Sequence, residues 1–235
     1  QSTIASYDQH VRLHINPLCG AVKLSSLTMP IVQGYRDHWL DSLSRPMAAK
    51  VLGSLTALVK EAQRNGRVAQ NVCDGVSIGK KKRQQEAVTI PSKRDMQKAI
   101  VAAREVAEPM AAPLIKLLVF AGLRASELRG LPWKNIDLKG ETIRIDQRAD
   151  NKNIIGPPKS ASGRRTIPLP TVAIQALREW KLRCPKSKDD LVFPSIAHTV
   201  MSHRYLTLNV LGPVLSKAGL VKLVKGKGKK NEDVI

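Results

Sequence analysis

Residues 121–138 read AGLRASELRGLPWKNIDL and combine a helix junction with a paired charge. Gly122 can adopt the left-handed conformation that ends a helix, and Arg124 then stands at the start of the next helix. Glu127 follows three residues later on the same helix face, so its carboxylate can orient the guanidinium. A planar bidentate donor at a helix junction suits a phosphate diester. Taken alone, an Arg–Glu pair on a helix is more typical of a surface ion pair.

The second informative stretch is residues 157–170, PPKSASGRRTIPLP, where a turn rich in Pro, Gly and Ser carries Lys159. The turn lies between two predicted strands, Thr142–Ile145 and Arg165–Leu169, so the lysine is expected on a hairpin. A lysine there can swing into a groove and donate a proton to a leaving oxygen. The alternative is an ordinary solvated lysine in a turn.

Periodicity predicts the elements around these two stretches. Residues 1–78 are predicted to be helical, with the clearest amphipathic helix over Met47–Ala62, ended by Asn65-Gly66. Three later helices are predicted: a buried helix over 113–123, a helix capped by Thr171 that runs through Trp180, and a helix from Ser202 to Ala218. A capping box of Ser92 with Asp95 marks a further helix start. A strand is predicted at Ile136–Leu138, followed by a tight turn at Lys139–Gly140. The predicted fold class is therefore mainly α with a small antiparallel β-sheet (α+β).

Composition narrows the class of protein. The 235 residues contain 39 Lys plus Arg against 19 Asp plus Glu, a formal charge of +20, which points to a polyanionic partner and first to nucleic acid. An anionic membrane is the rival partner, but no apolar run is long enough to span one. Aromatic residues make up only 3%, which argues against single-strand binding by stacked bases. The three cysteines are far apart, which fits a reducing cytosol and predicts no zinc site.

The best linker in the chain is SIGKKKRQQEAV, residues 77–88, with four consecutive cations and no apolar period. It divides the chain into a helical domain over 1–78, a basic linker over 79–88 and a second domain over 89–235. The linker is either a solvated surface loop or a basic hinge that lies against phosphates. Both domains carry a surplus of cations, so a two-domain clamp on a duplex is expected.

Together and in this order, the two stretches resemble the tyrosine recombinase family, the phage-integrase class of site-specific recombinases. The GLRASEL element followed by LPWKNIDL is a specific match, and so is the later KSASGRRTIPLP hairpin. The resemblance covers nearly the whole chain. It implies a SAM-like helical core-binding domain over 1–78 and the first part of a catalytic domain over 89–235.

The resemblance also implies DNA breakage and rejoining without a metal or nucleotide cofactor. A tyrosine attacks the scissile phosphate, forms a 3′-phosphotyrosyl link and releases a 5′-hydroxyl, which integrates or excises a prophage or another mobile element. Arg124 matches the family's first catalytic arginine, which stabilises charge on the non-bridging oxygens. Lys159 matches the hairpin lysine that acts as a general acid, and Glu127 matches a supporting acidic position.

The chain departs from the family pattern after the hairpin. The pattern continues with a His-x-x-Arg box, a further His or Trp and the tyrosine nucleophile, but no His-x-x-Arg occurs in these 235 residues. Tyr205 precedes the place of that box in the pattern, so it is expected to pack rather than to attack DNA. With no initial Met and no box, the sequence is expected to be an internal piece of a longer protein, truncated before the box. As written, it is expected to bind DNA without cutting it.

Several cations are candidates for phosphate contacts, although each alone is more typical of a solvated surface charge. They are Lys80, Lys81, Lys82, Arg83, Arg148, Lys152, Arg164 and Arg165. The resemblance implies att-type duplex DNA as the partner, a homotetramer on two duplexes, DNA-bending accessory proteins and a place in the cytoplasm, at the nucleoid of a bacterium. The alternatives are a non-catalytic DNA-binding protein that keeps the fold without the nucleophile, and a basic RNA-associated or architectural protein.

Overall fold

The computed structural model describes residues 2–79 and 90–221, together with the backbone of two short strands beyond them. The chain separates into two compact units, residues 1–88 and 89–235. Most of the predicted linker lies outside the described residues, and this includes its four cations, Lys80, Lys81, Lys82 and Arg83. Among the described residues, no helix is both long and apolar enough to cross a bilayer.

The first unit is helical, as predicted. Its helices are α1 (Ser2–His10), α2 (Asn16–Cys19), α3 (Met29–Ser42) and α4 (Arg45–Arg64), with a π-helical turn at Val11–Ile15 and a 3-10 turn at Leu24–Ser26. Helix α4 ends at Arg64, with Asn65 as its C-cap and Gly66 next at a φ of 68°, which confirms the predicted stop. The core packs Trp39 of α3 with Val51 and Leu55 of α4, because these apolar residues recur on one face of each helix.

The second unit combines helices with short strands, which confirms the predicted fold class. Its helices are α5 (Lys93–Ala102), α6 (Ala111–Ala121), α7 (Ala125–Arg129), α8 (Thr171–Lys181), α9 (His203–Tyr205) and α10 (Gly212–Lys217). Its strands are β1 (Ile136–Asp137), β2 (Thr142–Ile145), β3 (Arg148–Ala149), β4 (Ile155–Gly156), β5 (Arg165–Pro168), β6 (Val224–Lys225) and β7 (Asp233–Val234). The core lies between α6, α8 and the sheet, where Leu114, Ile174 and Ile143 are fully buried.

The main sheet has the order β1-β2-β5 and is antiparallel throughout. Strand β2 pairs with β5 so that Ile143 faces Ile167 and Ile145 faces Arg165. The connection from β2 to β5 is more elaborate than the predicted hairpin, because it first forms the two-stranded ribbon β3–β4. The sequence did not indicate this ribbon, since strands of two residues leave no alternating pattern.

Two of the predicted helix-end signals are confirmed, whereas the start of α8 and the predicted helix over 202–218 differ from the prediction. Ser92 and Asp95 form the predicted capping box, and Gly122 ends α6 in the left-handed region at a φ of 58°. The N-cap of α8 is Pro170 rather than Thr171, whose hydroxyl instead donates to Glu141 at 3.4 Å. The predicted helix over 202–218 is helical, but a π-helical stretch at Leu206–Leu211 separates α9 from α10.

Candidate active site

The junction between α6 and α7 fixes the backbone of Arg124. Because Gly122 turns the chain out of α6, Arg124 becomes the N-cap of α7 with an extended backbone. Its backbone N–H donates to the carboxylate of Glu127 at 3.0 Å. A carboxylate in the first turn also interacts favourably with the positive end of a helix. Glu127 therefore caps α7 and fixes the base of the Arg124 side chain in one step.

Glu127 lies at the centre of a network that joins α7 to β5. The residue is 4% exposed, and its two carboxylate oxygens accept hydrogen bonds from two arginines. Arg165 donates to both oxygens, at 2.8 and 3.0 Å, and Arg124 donates through Nη1 at 2.9 Å. With the backbone bond, these interactions fill about all four lone-pair positions of a carboxylate. We call this arrangement the Glu127 network.

The Glu127 network keeps the carboxylate ionised. Burial by itself raises the pKa of Glu127, but the hydrogen bonds from Arg165 and Arg124 outweigh it and lower the pKa to about 2. The same pairing with Glu127 raises the pKa of Arg165. Arg165, which was predicted to contact phosphate, forms a bidentate ion pair with Glu127, and its side chain is 31% exposed.

The backbone of Arg124 is fixed by Glu127, whereas its guanidinium remains accessible to solvent. Its side chain is 72% exposed even though Glu127 beside it is buried. A guanidinium has five N–H donors in a fixed plane, and within the described residues Glu127 occupies one of those of Arg124. The remaining donors are free to form the two parallel bonds with which arginine binds a phosphate group.

A cleft of about 350 Å³ is lined by four of the predicted site residues. Arg124 and Glu127 line it from α7, Arg148 lines it from β3, and Lys159 lines it from the segment between β4 and β5. Lys159 is exposed, which leaves its ammonium free to move. The Nε of Arg148 is buried and finds no hydrogen-bond partner in the part of the chain that the structure describes.

The other predicted cations lie elsewhere. Lys152 is exposed in the turn between β3 and β4 and does not line the cleft. Arg164 lines a separate open depression beside β2 and β5, which it shares with Arg144 and Arg165. Across the described ranges, no three His, Cys, Asp or Glu side chains are placed to hold a metal ion.

Sequence reasoning missed Arg129, which connects the elements around the cleft. It is 2% exposed, and its Nε donates to the carbonyl of Met201 at 2.6 Å. Its Nη2 donates to the Asp150 carbonyl at 3.3 Å and also to the Asn153 side chain. Burial lowers the pKa of Arg129. Because these partners are distant in sequence, no local pattern indicated that this arginine is internal.

Gly130 allows α7 to approach the ribbon closely. A Cβ built on it would lie 2.6 Å from the backbone nitrogen of Ala149 and 2.7 Å from the carbonyl carbon of Arg148. The Gly130 carbonyl accepts a hydrogen bond from Gln147 at 2.7 Å. The absence of a side chain therefore sets the distance between Arg124 on α7 and Arg148 on β3.

Tyr205 does not line the cleft. Its hydroxyl donates to the carboxylate of Glu108 at 2.6 Å, and its ring packs against the core of the second unit. The hydrogen bond to Glu108, together with burial, raises the pKa of Tyr205 to about 12. A phenol held in this way stays protonated at neutral pH and is a poor nucleophile.

Comparison with known proteins places this geometry in a family. The family model described as the phage integrase family matches residues 91–223. Prophage integrase IntR of Escherichia coli (strain K12) is 25% identical over 191 residues, which cover 75% of this chain and 45% of that protein. A tyrosine recombinase XerC-like protein of Caldanaerobacter subterraneus is 24% identical over 239 residues, which cover 95% of this chain and 61% of that protein.

Solved structures share the fold. The Tn1549 transposon integrase in complex with a circular intermediate DNA matches with a TM-score of 0.75 at 18% identity, over 93% of this chain and 73% of that one. The lambda integrase tetramer bound to a Holliday junction matches with a TM-score of 0.66 at 16% identity, over 94% and 62%. The chain thus spans about half to three-quarters of the length of these four relatives. With the family model matching more than half of its residues, the chain belongs to the phage integrase family of tyrosine recombinases.

Proposed function

We propose that this chain is part of a site-specific recombinase that breaks and rejoins duplex DNA through a 3′-phosphotyrosyl intermediate. The observation that carries the proposal is the exposed guanidinium of Arg124, held by buried Glu127 at a cleft that Lys159 also lines. A fixed cation beside a mobile ammonium suits a phosphate diester whose leaving oxygen needs a proton. Membership of the phage integrase family supports the same reaction class.

Each residue of the cleft has a separate role in this proposal. The guanidinium of Arg124 binds the non-bridging oxygens, where negative charge grows in the transition state. As the tyrosine oxygen bonds to phosphorus, the bond to the 5′-oxygen breaks, and Lys159 donates a proton to that oxygen. Glu127 positions Arg124 without contacting DNA. The energy of the broken phosphodiester is kept in the phosphotyrosyl bond, so the proposed reaction needs no nucleotide cofactor.

The proposed partner is duplex DNA at an att-type recombination site. Among the described cations, we assign Arg148, Lys152 and Arg164 to contacts with backbone phosphates. We assign residues 1–78 to the core-binding domain and residues 89–235 to the catalytic domain. We further propose that four copies act on two duplexes, the arrangement named for the lambda integrase tetramer on a Holliday junction. We also propose that DNA-bending accessory proteins assist the reaction and that the protein acts at the bacterial nucleoid in the cytoplasm.

Two observations favour a second candidate function, a DNA-binding protein that keeps the recombinase fold without cutting DNA. The hydroxyl of Tyr205 is engaged by Glu108, and the sequence contains no His-x-x-Arg box. We therefore expect the 235 residues to bind duplex DNA without forming a covalent adduct. An adduct mapped to Tyr205 on a nicked duplex would contradict this expectation.

DNA binding is tested by its salt dependence. A protein with 6–10 phosphate contacts loses about 10³–10⁵ in affinity between 50 and 200 mM salt. We expect a loss of this order on duplexes selected from a random pool by the 235-residue chain. A nearly flat salt response would refute the proposed interface.

The catalytic roles are tested by joining residues 1–235 to the tyrosine-bearing segment of a family relative. Arg124→Ala and Lys159→Ala are each expected to slow cleavage while leaving most of the duplex binding. A sulfur in place of the 5′-bridging oxygen leaves without protonation, so it should restore cleavage in the Lys159 variant but not in the Arg124 variant. Lys139→Ala, an exposed turn lysine outside the cleft, is the matched control. Equal losses of binding and cleavage would make both residues docking contacts instead.

A further inference from the structure

A second cavity in the second unit is separate from the candidate active site. It has a volume of about 610 Å³ and lies between α6, α8 and the segment 103–109. It shares no lining residue with the cleft that holds Arg124 and Lys159. Its volume is within the range of pockets that hold small molecules, about 300–1,000 Å³.

Lys116 is the unusual residue of this cavity. It stands in the middle of α6 and is only 6% exposed, although charged residues are seldom buried without a partner. It forms no hydrogen bond or ion pair with any residue in the described part of the chain. Its Nζ is not among the fully buried unpartnered atoms of the described residues, so the ammonium reaches the cavity and is available to an anion that enters it.

Cations outnumber the available carboxylates around Lys116. Arg104 and Arg183 line the same cavity, and neither forms an ion pair with a described residue. Two carboxylates also line it, so three cations face two anions; one of the two, Glu108, accepts a hydrogen bond from the Tyr205 hydroxyl. Glu179 remains as the acidic neighbour whose charge acts on Lys116.

We propose that this cavity binds a small phosphate monoester, with the phosphate between Lys116 and the guanidinium groups of Arg104 and Arg183. A phosphate monoester carries a charge of about −1.5 to −2 at neutral pH, which matches a surplus of cations better than a single carboxylate does. Two guanidinium groups also fit its three oxygens, since arginine binds phosphate through paired N–H donors. The site requires neither DNA nor recombination, so it stands or falls independently of the proposed function.

Pyridoxal 5′-phosphate is a probe that reports on this lysine. Its aldehyde condenses with the neutral Nζ of Lys116 to an imine with loss of water, and borohydride reduces the imine to a stable secondary amine. Burial and the charge of Arg104 lower the pKa of Lys116, which leaves more neutral amine for this reaction. We expect peptide mapping to find Lys116 labelled ahead of the exposed lysines, and inorganic phosphate to protect it at constant ionic strength.

Variants decide whether the cavity binds the phosphate. Arg104→Gln and Arg183→Gln should each raise the phosphate concentration needed for protection by about tenfold, because each removes a charge-assisted hydrogen bond. Arg94→Gln, an exposed residue of α5 outside the cavity, should leave protection unchanged. Lys116→Met keeps the volume of the side chain and should remove the label from this peptide alone.

Two outcomes would overturn the proposal. Label spread over the exposed lysines without preference for Lys116 would show that the cavity does not recognise the phosphate. Protection by short duplex DNA, but not by inorganic phosphate, would assign Lys116, Arg104 and Arg183 to the DNA interface instead.

Discussion

Replacing Glu127 by glutamine removes the charge at the centre of the Glu127 network while keeping the shape of the side chain. The pKa of Glu127 is about 2 in the folded chain against an ordinary value of 4.5. This difference corresponds to roughly 3 kcal/mol of stability at pH 7. Since the folded pKa is the lower one, that stability is complete above about pH 4.5 and is lost as the pH falls towards 2.

Urea denaturation of the parent chain and Glu127→Gln measures this contribution directly. We expect the variant to be less stable by about 3 kcal/mol at pH 7, and the gap to narrow by about 2 kcal/mol at pH 3. Glu105→Gln is the matched control, because Glu105 is exposed and its ion pair with Lys217, at 3.1 Å, should contribute at most about 1 kcal/mol. A gap that does not change with pH would refute the reasoning, since it would come from packing rather than from the ionised carboxylate.

Two further predictions concern the packing around the site. Gly130→Ala should lower the free energy of unfolding by at least about 2 kcal/mol, because the new Cβ would clash with the backbone of Ala149. The control is Gly34→Ala inside helix α3, where a new Cβ would meet no atom within 4 Å. This control should be neutral or stabilising by up to about 1 kcal/mol. In spectrophotometric titration, one tyrosine should ionise near pH 12, and this ionisation should disappear in Tyr205→Phe. Glu108→Gln should move the ionisation of Tyr205 to lower pH. An unchanged ionisation in Glu108→Gln would show that the carboxylate does not hold the phenol.

The part of the site that the sequence predicted is the part encoded by local spacing. Gly122 ends a helix, and Arg124 and Glu127 are three residues apart, so their geometry follows from helix periodicity alone. The contact between Glu127 and Arg165 joins residues 38 positions apart and depends on where β5 lies beside α7. No spacing rule gives that position, so the sequence alone did not indicate this ion pair.

The same limit applies to long-range contacts elsewhere in the unit. The predicted strands β2 and β5 were found because each has an alternating pattern, and their pairing follows from the turn region between them. Arg129 has its partners 72, 24 and 21 residues away, so its burial emerges only once those elements are packed together. An isolated arginine in a basic sequence gives no sign that it belongs to the interior.

The distribution of charge in the Glu127 network explains how a buried carboxylate can support an anion-binding cleft. Arg165 donates two short hydrogen bonds to Glu127, and its side chain is 31% exposed, so this ion pair neutralises most of the negative charge. Arg124 donates one side-chain hydrogen bond to Glu127 and is 72% exposed, so its positive charge still faces the cleft. Arg148 and Lys159 add to that charge from other elements. Two arginines of unequal exposure on the same carboxylate therefore give Arg124 a fixed position without cancelling the charge that a phosphate diester needs.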